Sequence, residues 1–370
     1  MRRFRIVLLM PTLLLAGASL RAAPPAMDSA RGRELFESRG CVQCHKLNGR
    51  GGSSAPDLVR IVDRGFTPAL LAGTMWNHAP VMWSAMRAQN ITPPPLSPQE
   101  AADLFAAFYA AHYFDTPADA ARGKAVFTRA ACAKCHGLEI SPVPAATPVR
   151  NWVALSDSIS LVGNMWNHAA KMKAELQKQK IAWPELSGRD LADLLVYVRN
   201  LPGGHVTSDF VIPSGEDGER LFASKGCGAC HVNGQLKTRG LSLDEMAASL
   251  WNHASRLKTT LPEFTRAEMG AVLGYVWTPQ FFQDAGNASR GAKVFTDRRC
   301  AQCHGVAGSG APDLTAHASG LDGIGIVSAL WRHGPTMLEQ MKTKGLQWPE
   351  FRAGEMADLI AYFNFKEKSR

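Results

Sequence analysis

Cys41-Val42-Gln43-Cys44-His45 is written three more times in this chain, as Cys132-Ala133-Lys134-Cys135-His136, Cys227-Gly228-Ala229-Cys230-His231 and Cys300-Ala301-Gln302-Cys303-His304. The four copies use all eight cysteines. Cys-x-x-Cys-His is a haem attachment pattern: each thiol can bond one vinyl group of a porphyrin, and the next residue brings an imidazole to its iron. A short helical turn sets both sulfurs along one edge and the histidine over the metal. A structural zinc site would need two such pairs and no histidine after the second cysteine. A redox dithiol would not need that histidine either. Four copies with no cysteine left over favour four covalently attached haems.

The chain has 370 residues, long for one small domain. It opens on the basic stretch Met1-Arg2-Arg3-Phe4-Arg5, followed by an apolar run from Ile6 to Leu20 and small residues at Ala18, Ala22 and Ala23. This reads as a secretory signal peptide over residues 1–26 rather than a membrane span. An exported, periplasmic protein follows, and covalent haem attachment suits that side of the membrane, where bare thiols would tend to oxidise. The formal net charge is +9, and four arginines of the leader account for the fall to +5 in the processed chain. No basic run interleaved with aromatics points to nucleic acid, and no later apolar run is long enough to span a bilayer.

The repetition extends well beyond the cysteines. Nine residues before each first cysteine stands a glycine (Gly32, Gly123, Gly218, Gly291), and five before it a phenylalanine (Phe36, Phe127, Phe222, Phe295). The surrounding segments have helical periodicity, and a glycine fixed inside such a pattern marks the close approach of another element. Each unit ends in a second helical pattern, with Tyr197, Tyr275 and Tyr362 in matching places and Ala107 beside Phe108 in the first unit. Ser97 and Ser187 stand where N-caps belong. The expected packing sets the tyrosine-bearing helix across the glycine of the first helix.

Between these helices lies a third recurring block: Met75-Trp76-Asn77-His78, Met165-Trp166-Asn167-His168, Leu250-Trp251-Asn252-His253 and Leu330-Trp331-Arg332-His333. Four residues past each histidine are Met82, Met172, Leu257 and Met337. Trp183-Pro184-Glu185-Leu186 and Trp348-Pro349-Glu350-Phe351 recur in two units. First cysteines are 91, 95 and 73 residues apart, so the third unit is the shortest. The boundaries expected are 27–115, 116–205, 206–284 and 285–370. Units of this size bury too little apolar surface to be generous cores, and a porphyrin would supply the missing interior.

With these residues in place, each unit resembles a class I c-type cytochrome. The resemblance implies an all-α fold of four tandem cytochrome c-like domains, each wrapped around one covalently attached haem c, with His45, His136, His231 and His304 as proximal iron ligands. The family's loop after the motif is matched at Ala55-Pro56-Asp57-Leu58 and Ala311-Pro312-Asp313-Leu314. There the resemblance gives Pro56 and Pro312 the backbone carbonyl that orients the proximal ring. Unit two has only a diverged, proline-rich loop around Pro142, Pro144 and Pro148, and unit three has no proline between His231 and Pro262.

Two assignments compete for the distal ligand. Family spacing favours Met82, Met172 and Met337, while only the histidine occurs in all four units, as His78, His168, His253 and His333. Residues four apart share a helix face, so either could reach the iron. In unit three, Leu257 leaves His253 or an empty position, and a histidine there would give that haem the lowest potential. His112, His205 and His317 read as solvated side chains, and Met86 and Met341 as packing residues. The function expected is single-electron transfer between periplasmic or membrane-bound redox partners. An open haem in unit three would instead support a peroxidase-like or nitrogen-oxide-reducing enzyme, and a third possibility is a subunit of a membrane respiratory complex.

Overall fold

A computed structural model describes residues 26–368, apart from residue 48 and the segments 59–65, 114–117, 153–154, 156, 200–210, 213–214, 232–235, 237–240, 258–259, 280–285 and 316–320. Residues 1–25 of the leader, His205, His317 and the side chain of His112 lie outside the described residues. The fold is mostly helical, with three helices in each repeat among the described residues. Unit one holds α1 (Ser29–Ser38), α2 (Pro68–Ala88) and α3 (Pro98–Tyr113). Unit two holds α4 (Ala120–Arg129), α5 (Ser158–Lys178) and α6 (Gly188–Arg199). Unit three holds α7 (Gly215–Ser224), α8 (Leu243–Ala254) and α9 (Arg266–Trp277). Unit four holds α10 (Ala288–Asp297), α11 (Gly323–Thr343) and α12 (Glu355–Lys368). The middle helix is 21 residues long in units one, two and four but 12 in unit three, which shortens that repeat.

Within every unit the first and last helices cross at the repeated glycine. A Cβ on Gly32, Gly123, Gly218 or Gly291 would lie 1.9, 2.1, 2.2 or 2.0 Å from a backbone carbonyl oxygen of the opposing helix, so only glycine permits the approach. The phenylalanine one turn later closes the crossing. Phe127, Phe222 and Phe295 meet Tyr197, Tyr275 and Tyr362 at ring separations of 5.7, 5.6 and 5.7 Å. In unit one Phe108 takes over, edge-on to Phe36 at 6.1 Å.

Two polar clamps fix the register of this crossing. Before the glycine, Arg31, Arg122 and Arg290 form forked pairs with the buried carboxylates Asp103, Asp193 and Asp358, which also accept the backbone N–H of Asp28, Asp119 and Asn287. A buried carboxylate is tolerated because both oxygens are paired. Unit three has Asp217 and Ala271 at these places and dispenses with the pair. At the far end Arg39–Glu100, Arg129–Asp190, Lys225–Glu268 and Arg298–Glu355 recur in all four units. Glu100 and Asp190 double as capping partners of Ser97 and Ser187, both of which act as N-caps.

Units do not pack in chain order. The middle helix of unit one lies against that of unit four, and the middle helix of unit two against that of unit three. The indole N–H of Trp76 donates to Pro349 O, Trp166 to Pro262 O and Trp251 to Pro184 O, each at 2.8 Å. The neighbouring asparagine makes a two-way latch. Asn77 Nδ2 donates to Phe351 O (2.8 Å) and Asn77 Oδ1 accepts from Phe351 N (2.7 Å). Asn167 does the same with Phe264 (2.6 and 2.9 Å), and Asn252 with Leu186 (2.8 and 2.9 Å). Trp183 stacks on Trp251 at 4.2 Å, as Trp348 stacks on Trp76 at 4.6 Å. Pair two–three is thus reciprocal, with a latch from each side. Pair one–four has one, because Arg332 replaces the asparagine.

The pairs meet along a seam between units one and three. There β1 (Met27–Asp28) runs antiparallel to β4 (Val211–Ile212), and Tyr109 packs edge-on to Trp277 at 5.1 Å. A two-residue hairpin, β2 (Lys46–Leu47) with β3 (Arg50–Gly51), follows the first motif. One apolar core runs through all four units, and a smaller cluster of Ala79, Trp83, Leu330 and Leu338 fills the one–four interface. No helix among the described residues is long and apolar enough to cross a membrane.

Candidate functional site

Each Cys-x-x-Cys-His stretch folds into the same turn. The first helix stops at a residue with left-handed backbone, namely Gly40 (φ 79°), Ala131 (59°), Gly226 (83°) and Arg299 (62°). A single 3₁₀ turn follows, closed by the histidine N–H donating to the first cysteine's carbonyl: His45 to Cys41, His136 to Cys132, His231 to Cys227 and His304 to Cys300, at 2.8–3.0 Å. The turn sets the two thiols and the imidazole on one short arc. None of the eight cysteines is paired in a disulfide. Burial pushes the thiols of Cys41, Cys132 and Cys300 up to about 11, and raises that of Cys227.

The proximal rings are fixed from behind. His45 Nδ1 lies 3.0 Å from Pro56 O and His304 Nδ1 2.9 Å from Pro312 O. A carbonyl oxygen only accepts, so Nδ1 carries the proton and Nε2 keeps a free lone pair. In unit two His136 Nδ1 donates to Thr147 O at 3.0 Å, and Trp152 Nε1 donates to the same oxygen. Sequence reading missed Thr147. The usable signal was its offset of 11 residues from the histidine, the same as Pro56 from His45. Most of the segment after His231 lies outside the described residues.

Opposite the proximal ring stands a histidine of the middle helix in three units. His45 and His78 have ring centroids 6.1 Å apart, His136 and His168 5.8 Å, and His231 and His253 5.8 Å. Desolvation first, and then the proximal imidazole, hold His78, His168 and His253 below the usual histidine range. Met82 is half-buried against the one–four interface cluster and Met172 against the main core. In unit three, α8 ends at Ala254, so Leu257 lies beyond the helix and does not share the face of His253. Unit four differs. His333 is exposed, Met337 is half-buried, and among the described residues His333 makes no ring contact with His304.

Do these residues fit a haem? Each unit described offers paired thiols and an imidazole on one turn, and three show an orienting carbonyl that leaves Nε2 free. The indole N–H groups of Trp83, Trp183 and Trp331 are buried without an acceptor. Among the described residues no group of three or more His, Cys, Asp or Glu could hold a bare metal ion. The residues fit.

Comparison with curated proteins and with solved structures gave no significant match. The Cytochrome c family pattern matches residues 29–106, 120–202 and 288–364, three stretches that correspond to units one, two and four and together span more than half of the chain. Unit three, short in its middle helix and without the Arg–Asp pair, is left unmatched. With the same turn, glycine crossing and helix order in each matched stretch, the chain belongs to the cytochrome c family.

Proposed function

We propose that this protein is a periplasmic electron carrier with four haem c groups, one in each repeat. They are bound through thioethers to Cys41 and Cys44, Cys132 and Cys135, Cys227 and Cys230, and Cys300 and Cys303, with His45, His136, His231 and His304 as proximal ligands. Its partners are other periplasmic or membrane-bound redox proteins. Haem c supplies one-electron cycling between ferrous and ferric iron. The protein's part is to hold the proximal imidazole in one tautomer and orientation, through the carbonyls of Pro56, Thr147 and Pro312, so that little moves when the charge changes. It also sets which sites are neighbours. Electrons pass within pairs one–four and two–three, and between pairs at the seam of units one and three.

The observation that carries this reading is the repeated turn with its locked imidazole beside two thiols. Unit three, included in the count, shares the turn and the ring pair although the family pattern does not match it. Intact mass of the exported protein, together with the haem absorbance per chain, tests it. Four porphyrins per polypeptide and removal of the first 26 residues or so are expected; a bare or triply loaded chain would refute the four-site reading.

A further inference from the structure

We propose that the sixth iron ligands of units one, two and three are His78, His168 and His253, each held in place by the adjacent asparagine latched to the neighbouring unit, and that unit four, which lacks the latch, does not use His333. The proposal rests on the four-haem reading above.

Two imidazoles on opposite sides of one iron, each bonded at about 2 Å, have ring centroids about 6 Å apart. The three observed separations of 6.1, 5.8 and 5.8 Å match that span. The ring planes are inclined at 67°, 57° and 52°, which two imidazoles on one metal tolerate because neither bond requires the rings to be coplanar. Were Met82 and Met172 the ligands instead, His78 and His168 would have to leave the places they hold across from His45 and His136.

The latch explains why the ring stands there. Asparagine and histidine are consecutive, so their side chains leave the helix about 100° apart. Once the asparagine amide is fixed by two hydrogen bonds to backbone of the neighbouring unit, the rotation of the helix about its axis is set. The next side chain then faces the proximal histidine. Asn77, Asn167 and Asn252 are therefore positioning residues, and the backbone of Phe351, Phe264 and Leu186 makes the axial geometry of one unit depend on another.

Unit four is the internal control. Arg332 is exposed and makes no latch; the carbonyl of Leu96, which an asparagine would engage, accepts from Ser328 Oγ at 2.7 Å, one turn earlier. Gly334 stands where units one to three have buried alanine, and a Cβ there would lie 2.3 Å from the Trp83 ring, so α11 approaches α2 by a different contact. With its helix set differently, His333 is exposed. The odd iron among the four is thereby unit four rather than unit three.

Near-infrared magnetic circular dichroism of the oxidised full-length protein separates bis-histidine from methionine–histidine iron. Three quarters of the haem is expected in the bis-histidine class. Met172→Leu and His333→Gln should leave that fraction unchanged, whereas His168→Met should move one quarter of the haem to the methionine class. Asn167→Ala should lower the bis-histidine fraction at unchanged haem content, a loss that a purely structural role for the latch would not cause. A spectrum with all four haems bis-histidine, a response to Met172→Leu, or an unresponsive Asn167→Ala that retains four haems would overturn the proposal. Fewer than four haems per wild-type chain would instead overturn the functional reading on which it rests.

Discussion

Ala131 and Arg299 occupy the left-handed position that ends the first helix in units two and four, where units one and three have glycine. A Cβ at such a φ costs about 1 kcal/mol. Ala131→Gly should therefore raise stability by about 1 kcal/mol, less the extra entropy of the unfolded glycine, in chemical denaturation of the haem-loaded protein. A loss of stability would mean that the Ala131 methyl is packed usefully. The thiols and proximal histidines are legible in the five-residue motif itself, and the carbonyls of Pro56 and Pro312 in the resemblance of the loop that follows it to the family's. Thr147 is not, because its carbonyl does the job regardless of side chain.

Helix pairing belongs to the next scale up. The glycine crossing was legible as a repeated offset from the cysteine, since an invariant spacing within one chain leaves only a close contact to explain it. The Arg–Asp clamp was not read, although Arg31, Arg122 and Arg290 stand just before the glycine in the three units that keep the aspartate. An arginine on a helix surface looks solvated until the buried partner on the other helix is known. Gly123→Val would place its Cβ 2.1 Å from the Asp193 carbonyl oxygen and should open the α4–α6 crossing at a cost of about 3 kcal/mol. Haem content is the measure: about one haem in four should be lost or become solvent-exposed. Full loading with unchanged denaturation would show that the two helices tolerate separation.

For the whole molecule, the pairing of units places a buried acid at an interface. Asp244, near the start of α8, faces Ser158 at the start of α5. Burial pushes its carboxyl up to about 6; the Ser158 hydroxyl opposes this, Glu245 and Asp157 add to it, and Arg189 opposes it. Because the folded value lies above the unfolded one, the folded chain holds the proton more tightly. No stability is lost below about pH 4, and the penalty grows as pH rises to about 6, reaching at most about 3 kcal/mol. Asp244→Asn should thus be more thermostable than wild type at pH 7, with the difference vanishing near pH 4. A gap that widens on acidification would contradict the burial argument.

Sequence alone determined the chemistry and the repeat: the turn that carries two thiols and an imidazole is encoded in five residues, and the helix crossing in a glycine nine residues before it. Tertiary structure decided which units are neighbours and, in units one to three, which side chain faces the proximal histidine. The latches join residues 66, 97 and 274 positions apart. An asparagine beside a histidine carries no sign of the distant carbonyl it will hold. His78 and Met82 share a face one turn apart, and the latch of Asn77 to the backbone of the neighbouring unit fixes the height of that helix as well as its rotation, with His78 rather than a neighbour one turn away set across from His45.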